Sequence, residues 1–226
     1  MISANFLLDK EMGKISPGKA GIKSPGDTYS FAVIADPQGG DTDDTEKLRT
    51  RMRIHNAYIE ESVDLINRQD KKFLFTMVVG DITDDWGYEQ DFKKMNFFLS
   101  KLNTPVLYEI GNHETRLKSS FSPGYNMDEF NNYFAAQKEI NGLNKLLYSF
   151  DLGKWHFIVW PDPLRKTFWD NHPHYFDWLE RDIEKHKHMP VMIFQHVPVH
   201  PMGINPFLNY CETVEVKRAL FDIFSK

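Results

Sequence analysis

A chain of 226 residues fits one large α/β domain, and 41% hydrophobic residues with 18 Phe supply enough apolar surface for a core, which excludes disorder over most of the length. A formal net charge of -5 gives the surface no general attraction for a nucleic-acid backbone, so no nucleic-acid partner is expected. The single cysteine, Cys211, cannot close an intrachain disulfide, and no apolar run approaches a membrane span or, in MISANFLLDKEMGK, a secretory h-region. The chain therefore reads as soluble, with its compartment unassigned.

Residues 13–28, GKISPGKAGIKSPGDT, are rich in Gly, Pro, Ser and Lys without an apolar period, and predict that residues 1–28 form an extended or mobile leader before a domain at 29–226. The runs SFAVIA (30–35) and FLFTMVV (73–79) are compact and β-branched or aromatic, as buried strands are. Between them, Asp41, Asp43 and Asp44 precede a helix over 45–68, where Leu48, Met52, His55, Ile59, Val63 and Ile66 recur at helical spacing. A second helix spans 88–102, with Phe92, Met95, Phe98 and Leu99 on one stripe, and a third strand spans 106–110. A helix follows over 127–140. Two strand-like runs, 148–152 and 155–160, meet at Gly153-Lys154, a hairpin signal. The remaining elements are a helix over 175–188, a strand over 191–194 and a helix over 213–224.

Four of these strands end in residues suited to hard or borderline metals: Asp36 with Gln38, Asp81 with Asp84, Asn112 with His113, and His196. Ligands of α/β sheets bind beyond the carboxyl ends of strands, so distant segments can converge there on one crevice. Phosphate esters resist hydrolysis because water is a weak nucleophile and the attacked group is already negative. Two metals about 3.5–4 Å apart address both difficulties, and mixed carboxylate, amide and imidazole donors suit Mn, Fe or Zn. Asp81 is the candidate bridge, since one anion shared by two cations reduces their repulsion. Each signal has a plainer reading alone: Asp36-Pro37-Gln38 as a turn, Gly80 to Asp84 as a helix-capping loop, His196 as a core histidine. Their order favours the metal reading.

In order, Asp36-Pro37-Gln38, Gly80-Asp81-Ile82-Thr83-Asp84, Gly111-Asn112-His113-Glu114 and the lone His196 resemble the motifs of the calcineurin-like metallophosphoesterase superfamily. The likeness covers about residues 29–224. It implies a four-layer αββα sandwich, two mixed sheets flanked by helices, and hydrolysis of a phosphomonoester or phosphodiester by a hydroxide activated by two divalent metal ions. By the same resemblance, Asp36 and Gln38 face the first metal, Asp81 bridges, and Asn112 and His196 hold the second. His113 stabilises the phosphoryl group or protonates the departing oxygen, Glu114 orients its imidazole, and Asp84 supports the motif loop.

Two departures accompany the likeness. Gln38 stands where the family usually has His, which resembles an Asp-x-Gln subgroup. No Gly-His-x-His follows His196, so the chain reads as stopping before the last motif. A catalytically silent module that binds a phosphorylated ligand or partner is therefore the alternative expectation. His186 and His188 form an imposter pair, His-Lys-His, placed before His196 on a charged helix and without the glycine.

Overall fold

The computed structural model describes residues 12–41, 45–84, 87–115, 127–161, 169, 172–199 and 214–225. The strands are β1 (Met12–Lys14), β2 (Ser30–Ala35), β3 (Phe73–Val79), β4 (Val106–Glu109), β5 (Leu147–Leu152), β6 (Trp155–Val159) and β7 (Val191–Phe194). The helices are α1 (Glu46–Asn67), α2 (Glu89–Leu99), α3 (Met127–Asn141), α4 (His174–Lys185) and α5 (Val214–Phe224). Every helix and strand expected from residue 29 onward is present, with ends displaced by a few residues. Fraying at element ends accounts for shifts of that size.

The strands form two sheets, β2-β3-β4, which is all parallel, and β1-β5-β6-β7, in which only the β5–β6 hairpin pair is antiparallel. They pack face to face through a phenylalanine cluster. Phe31 stacks on Phe75 at 5.0 Å, Phe150 on Phe157 at 5.1 Å and Phe157 on Phe194 at 6.1 Å, while Phe75 meets Phe150 edge-on at 5.7 Å. Each fully buried ring contributes about 1.5–3 kcal/mol of transfer free energy, so this cluster is a large favourable contribution to joining the sheets. On the outer faces, Ile59 and Val63 of α1 and Phe92, Met95 and Leu99 of α2 bury against one sheet, and Leu179 of α4 and Leu220 of α5 belong to the same apolar cluster as Leu147 and Ile158 of the other. The result is the helix, sheet, sheet, helix sandwich.

Within the segment read in sequence as an extended or mobile leader, residues 12–28 carry a paired strand and a 3-10 turn. β1 pairs in parallel with β5, matching Met12 to Leu147 and Lys14 to Ser149, and Ile15 N donates to Ser149 O at 2.8 Å. Ile15, Ala20 and Ile22 are buried in the inter-sheet core. Gly21, at φ 77°, closes the short 3-10 turn Pro17–Ala20 in a left-handed conformation that glycine adopts without strain. A three-residue strand shows no alternation in sequence, and its partner lies more than 130 positions away. Pairing with a distant edge makes it a strand, not local propensity.

An ionic cluster fastens this strand. Lys14 contacts the Asp151 carboxylate, and lies 3.1 Å from His186 Nε2. His156, fully buried, sets Nδ1 2.6 Å from Asp151 Oδ1 and Nε2 2.9 Å from Asp182 Oδ2. Burial works against protonation of His156, but the hydrogen bonds and charges of Asp182 and Asp151 outweigh it and hold its pKa above the usual 6.5. Burial likewise pushes both carboxyls up, and Lys14 and His156 at Asp151, or His156 and Ser149 at Asp182, overcome it and leave them below 3.8.

A raised histidine pKa stabilises the fold fully below the unfolded value of about 6.5 and ceases to do so as pH rises through the folded value. The lowered carboxylates stabilise it above about 3.8 and stop as pH falls through their folded values. The stability difference between the parent chain and His156→Gln, from urea unfolding, should therefore be largest between about pH 3.8 and 6.5 and shrink towards pH 9. A difference that stays constant from pH 5 to pH 9 would contradict this account.

Candidate metal centre

The loops after β2, β3, β4 and β7 meet at one end of the sandwich. Backbone hydrogen bonds zip the first two together: Gln38 N to Asp81 O at 2.9 Å, Gly39 N to Ile82 O at 3.2 Å and Asp84 N to Gly39 O at 3.2 Å. Helix α1 holds the same loop from the side, where Asn56 receives Gly40 N at 3.1 Å and donates to Gly40 O at 2.8 Å. His55 Nδ1 lies 2.8 Å from Gln38 O. Asp91 of α2 accepts from Asp41 N at 2.6 Å.

Asp81 is the hub of this end. Its side chain is 4% exposed, and one oxygen accepts from His113 N at 2.9 Å and lies 3.3 Å from His196 Nε2. The other accepts from Gln38 Nε2 at 3.2 Å and lies 3.5 Å from His113 Nε2. Donor atoms of Asp36, Asp81 and His196 all fall within 4.8 Å of one another. Asn112 Oδ1 is 3.2 Å from His196 Nε2. Asp36, Gln38, Asp81, Asn112, His113 and His196, singled out from separate strand ends, thus lie together in one cluster.

The backbone is bent to achieve this. Asp36, Gln38 and Asp81 have φ of 51°, 45° and 48°, a left-handed region costly for residues with a Cβ and tolerated where the surroundings hold it in place. Two glycines permit the close approach. A Cβ on Gly80, itself at φ 62°, would meet His196 Cγ at 2.4 Å, and one on Gly111 would meet Asp81 N at 2.3 Å.

Electrostatics describe a site built for cations. Burial alone would lower the His196 pKa, but the hydrogen bond and charge of Asp81, with Asp36 and Glu114 behind it, push it up to about 9. Burial raises the Asp36 pKa, with Asp81 adding to the rise and His196 opposing it. At Asp81 burial is outweighed by the hydrogen bond and charge of His196 and by His113, which leave its pKa lowered. The residues fit divalent metals: two carboxylates, an amide oxygen and an imidazole converge, and His196 Nδ1 donates to Val79 O at 3.3 Å, which aims Nε2 into the pocket as metal-binding histidines require.

Glu114 takes a role that the motif did not suggest. Its fully buried carboxylate accepts from Thr83 N at 2.9 Å through one oxygen and from Gly111 N at 2.9 Å through the other, so it ties the second and third motif loops together. Among its hydrogen bonds none reaches the imidazole of His113, the orientation expected of it; the Asp84 carbonyl contacts His113 Nδ1. The physical reason is depth, because Glu114 lies beneath the backbone that carries His113. Burial first, and the charge of Asp81 second, raise its pKa to about 7 against those two backbone hydrogen bonds. Asp84, 2% exposed, pairs with Arg51 of α1.

Arg51, His55 and Asn56 were not singled out in the sequence as site residues. His55 has helical spacing with core positions, and only its contact with Gln38 distinguishes it. A cavity of about 500 Å³ is lined by Glu46, Thr50, Arg51, Ile54 and His55, next to the loops that Arg51 and His55 touch. His186 lies elsewhere, with His156 and Asp151. His200 and Tyr210, weighed in the sequence as groove residues, and Trp86 lie outside the described residues.

A sandwich of this kind, with acidic, amide and imidazole donors gathered beyond its strand ends, defines the class of metal-dependent phosphoesterases. The family model for calcineurin-like phosphoesterase matches residues 29–221, and the chain belongs to that family. Purple acid phosphatase PPD1 from yellow lupin (Lupinus luteus) seeds has a similar fold, with a TM-score of 0.58 at 14% identity over 88% of this chain. This chain spans 36% of that protein's length. Phosphopantetheinyl hydrolase PptH from Mycobacterium tuberculosis aligns with a TM-score of 0.44 at 10% identity, over 83% of this chain and 76% of its own. No curated protein matches in sequence. Among the described residues no helix is long and apolar enough to cross a membrane.

The crowding at Gly111 yields a direct check. Gly111→Ala places a methyl group against Asp81 N and its carboxylate, so it should lower divalent-metal uptake, measured by equilibrium dialysis with Mn, while the far-ultraviolet circular dichroism stays that of the parent. Unaltered uptake would show that the approach of these two loops is not needed.

Proposed function

We propose that this chain hydrolyses phosphomonoesters or phosphodiesters at the cluster around Asp81. The observation that carries the reading is the convergence of Asp36, Asp81 and His196 donor atoms within 4.8 Å, with Asn112 beside them. In this reading Asp36, Gln38, Asp81, Asn112 and His196 would hold two divalent ions, with Asp36 and Gln38 serving one, Asn112 and His196 the other, and Asp81 both. Mn, Fe or Zn suits these donors, and such a pair, when bound, supplies an activated water and neutralises phosphoryl charge.

The protein's own groups do the rest. His113 Nδ1 faces the Asp84 carbonyl, which leaves Nε2 on the side of Asp81. In this reading that nitrogen, 3.5 Å from Asp81, stabilises the phosphoryl group or protonates the departing oxygen. Glu114 and Asp84 keep the loops in register, so they are positioning residues.

Hydrolysis of a generic aryl phosphate in the presence of Mn tests the reading. His113→Ala should lower turnover by about 10²–10⁴-fold without altering metal content, as removal of a proton-transfer group does. Asp81→Asn should lower both turnover and metal content. Turnover unchanged in either variant would overturn the assignment. Metal uptake by the parent chain without any turnover would replace it with a phospho-ligand-binding module.

A further inference from the structure

At the opposite end of the same sheet lies a second group of metal-ligating side chains, on which the proposed hydrolysis does not depend. His156 opens β6 and pairs with Val191, the first residue of β7, whereas His196 lies beyond Phe194, the last. The two groups are thus separated by the length of β7. Asp151 comes from β5, His156 from β6 and His186 from the end of α4, and their donor atoms lie within 4.8 Å of one another.

We propose that Asp151, His156 and His186 form a structural site for a zinc-class divalent cation, whose place is taken here by the ammonium group of Lys14. Both imidazoles are oriented as in metal sites, where a second partner fixes one ring nitrogen so that the other faces the ion. His186 Nδ1 is held by the Asp182 carbonyl at 2.7 Å, so the lone pair of Nε2 faces Lys14 Nζ at 3.1 Å. His156 Nε2 is held by the Asp182 carboxylate at 2.9 Å, so Nδ1 faces Asp151. The rings stack 3.8 Å apart and 9° from parallel, and both are buried. Two nitrogens and a carboxylate oxygen, with water in the fourth position, match the tetrahedral preference of zinc.

Lys14 marks the position of the cation without closing it off. Its ammonium touches Asp151 and His186, yet its side chain is 39% exposed on a flexible stem that can swing into solvent. Binding is balanced as follows: the ion enters, Lys14 moves out with its charge, and the His156 Nδ1 proton passes to water. Asp151 and His186 Nε2 coordinate as they stand. A bound ion would then join β5, β6 and α4 directly where Lys14 now joins β1 to them.

Titration of the full chain with Co(II), followed by its visible tetrahedral absorption, tests this. Lys14→Met removes the competing cation, so it should bind one Co(II) with a lower dissociation constant than the parent. His186→Ala should lose that equivalent and keep those of the Asp81 centre, and Asp81→Asn should retain it. His186→Gln, checked by circular dichroism, replaces the alanine variant if that one does not fold. Equal stoichiometry and affinity in the parent, Lys14→Met and the His186 variant would overturn the proposal and leave the cluster an ion-pair clamp. Loss of the Asp81 centre alone would leave it standing.

Discussion

Confinement of negative charge around Asp81 is the constraint on which the rest of this structure depends. A carboxylate 4% exposed stands beside Asp36 and above the buried Glu114, and like charges at such distances repel strongly in a medium less polar than water. The fold tolerates them because cationic and hydrogen-bonding groups face them: His196 and His113 at Asp81, Arg51 at Asp84, two backbone amides at Glu114. Divalent cations bound there would neutralise this charge further. The chemistry proposed for the site and its electrostatic balance follow from the same arrangement.

Backbone geometry enforces the confinement. Parallel strands joined by helical crossovers bring the ends of β2, β3 and β4 to one edge, and the phenylalanine cluster fixes the second sheet against the first, which puts His196 opposite Asp81. Gly80 and Gly111 let the loops approach within distances that a side chain would forbid. The left-handed φ angles at Asp36, Gln38 and Asp81 are strain concentrated where the functional groups converge, supported by hydrogen bonds from Asn56, Glu114 and the loops themselves.

Much of this was legible in the residues. Strands such as FLFTMVV are buried on both faces and read as unbroken apolar runs, and helices such as α2 show one apolar stripe. The donors stood at strand ends in a recognisable order. What escaped was long-range. β1 exists only because β5 offers it an edge, and the placement of Glu114 under the loops depends on depth, which a motif does not encode. Asn56 and His55 carry no sign in sequence that they grip the first loop. The His156–His186 stack was hidden for the same reason: one residue begins a strand, the other ends a helix, and only packing makes them neighbours.

The central claim is that donors from four strand ends build one cation centre. Anomalous diffraction from crystals grown with Mn, recorded above and below the metal edge, measures this most directly. The account predicts anomalous density within coordination distance of Asp36, Asp81, Asn112 and His196. Density found only elsewhere, or none in that pocket at saturating Mn, would contradict it.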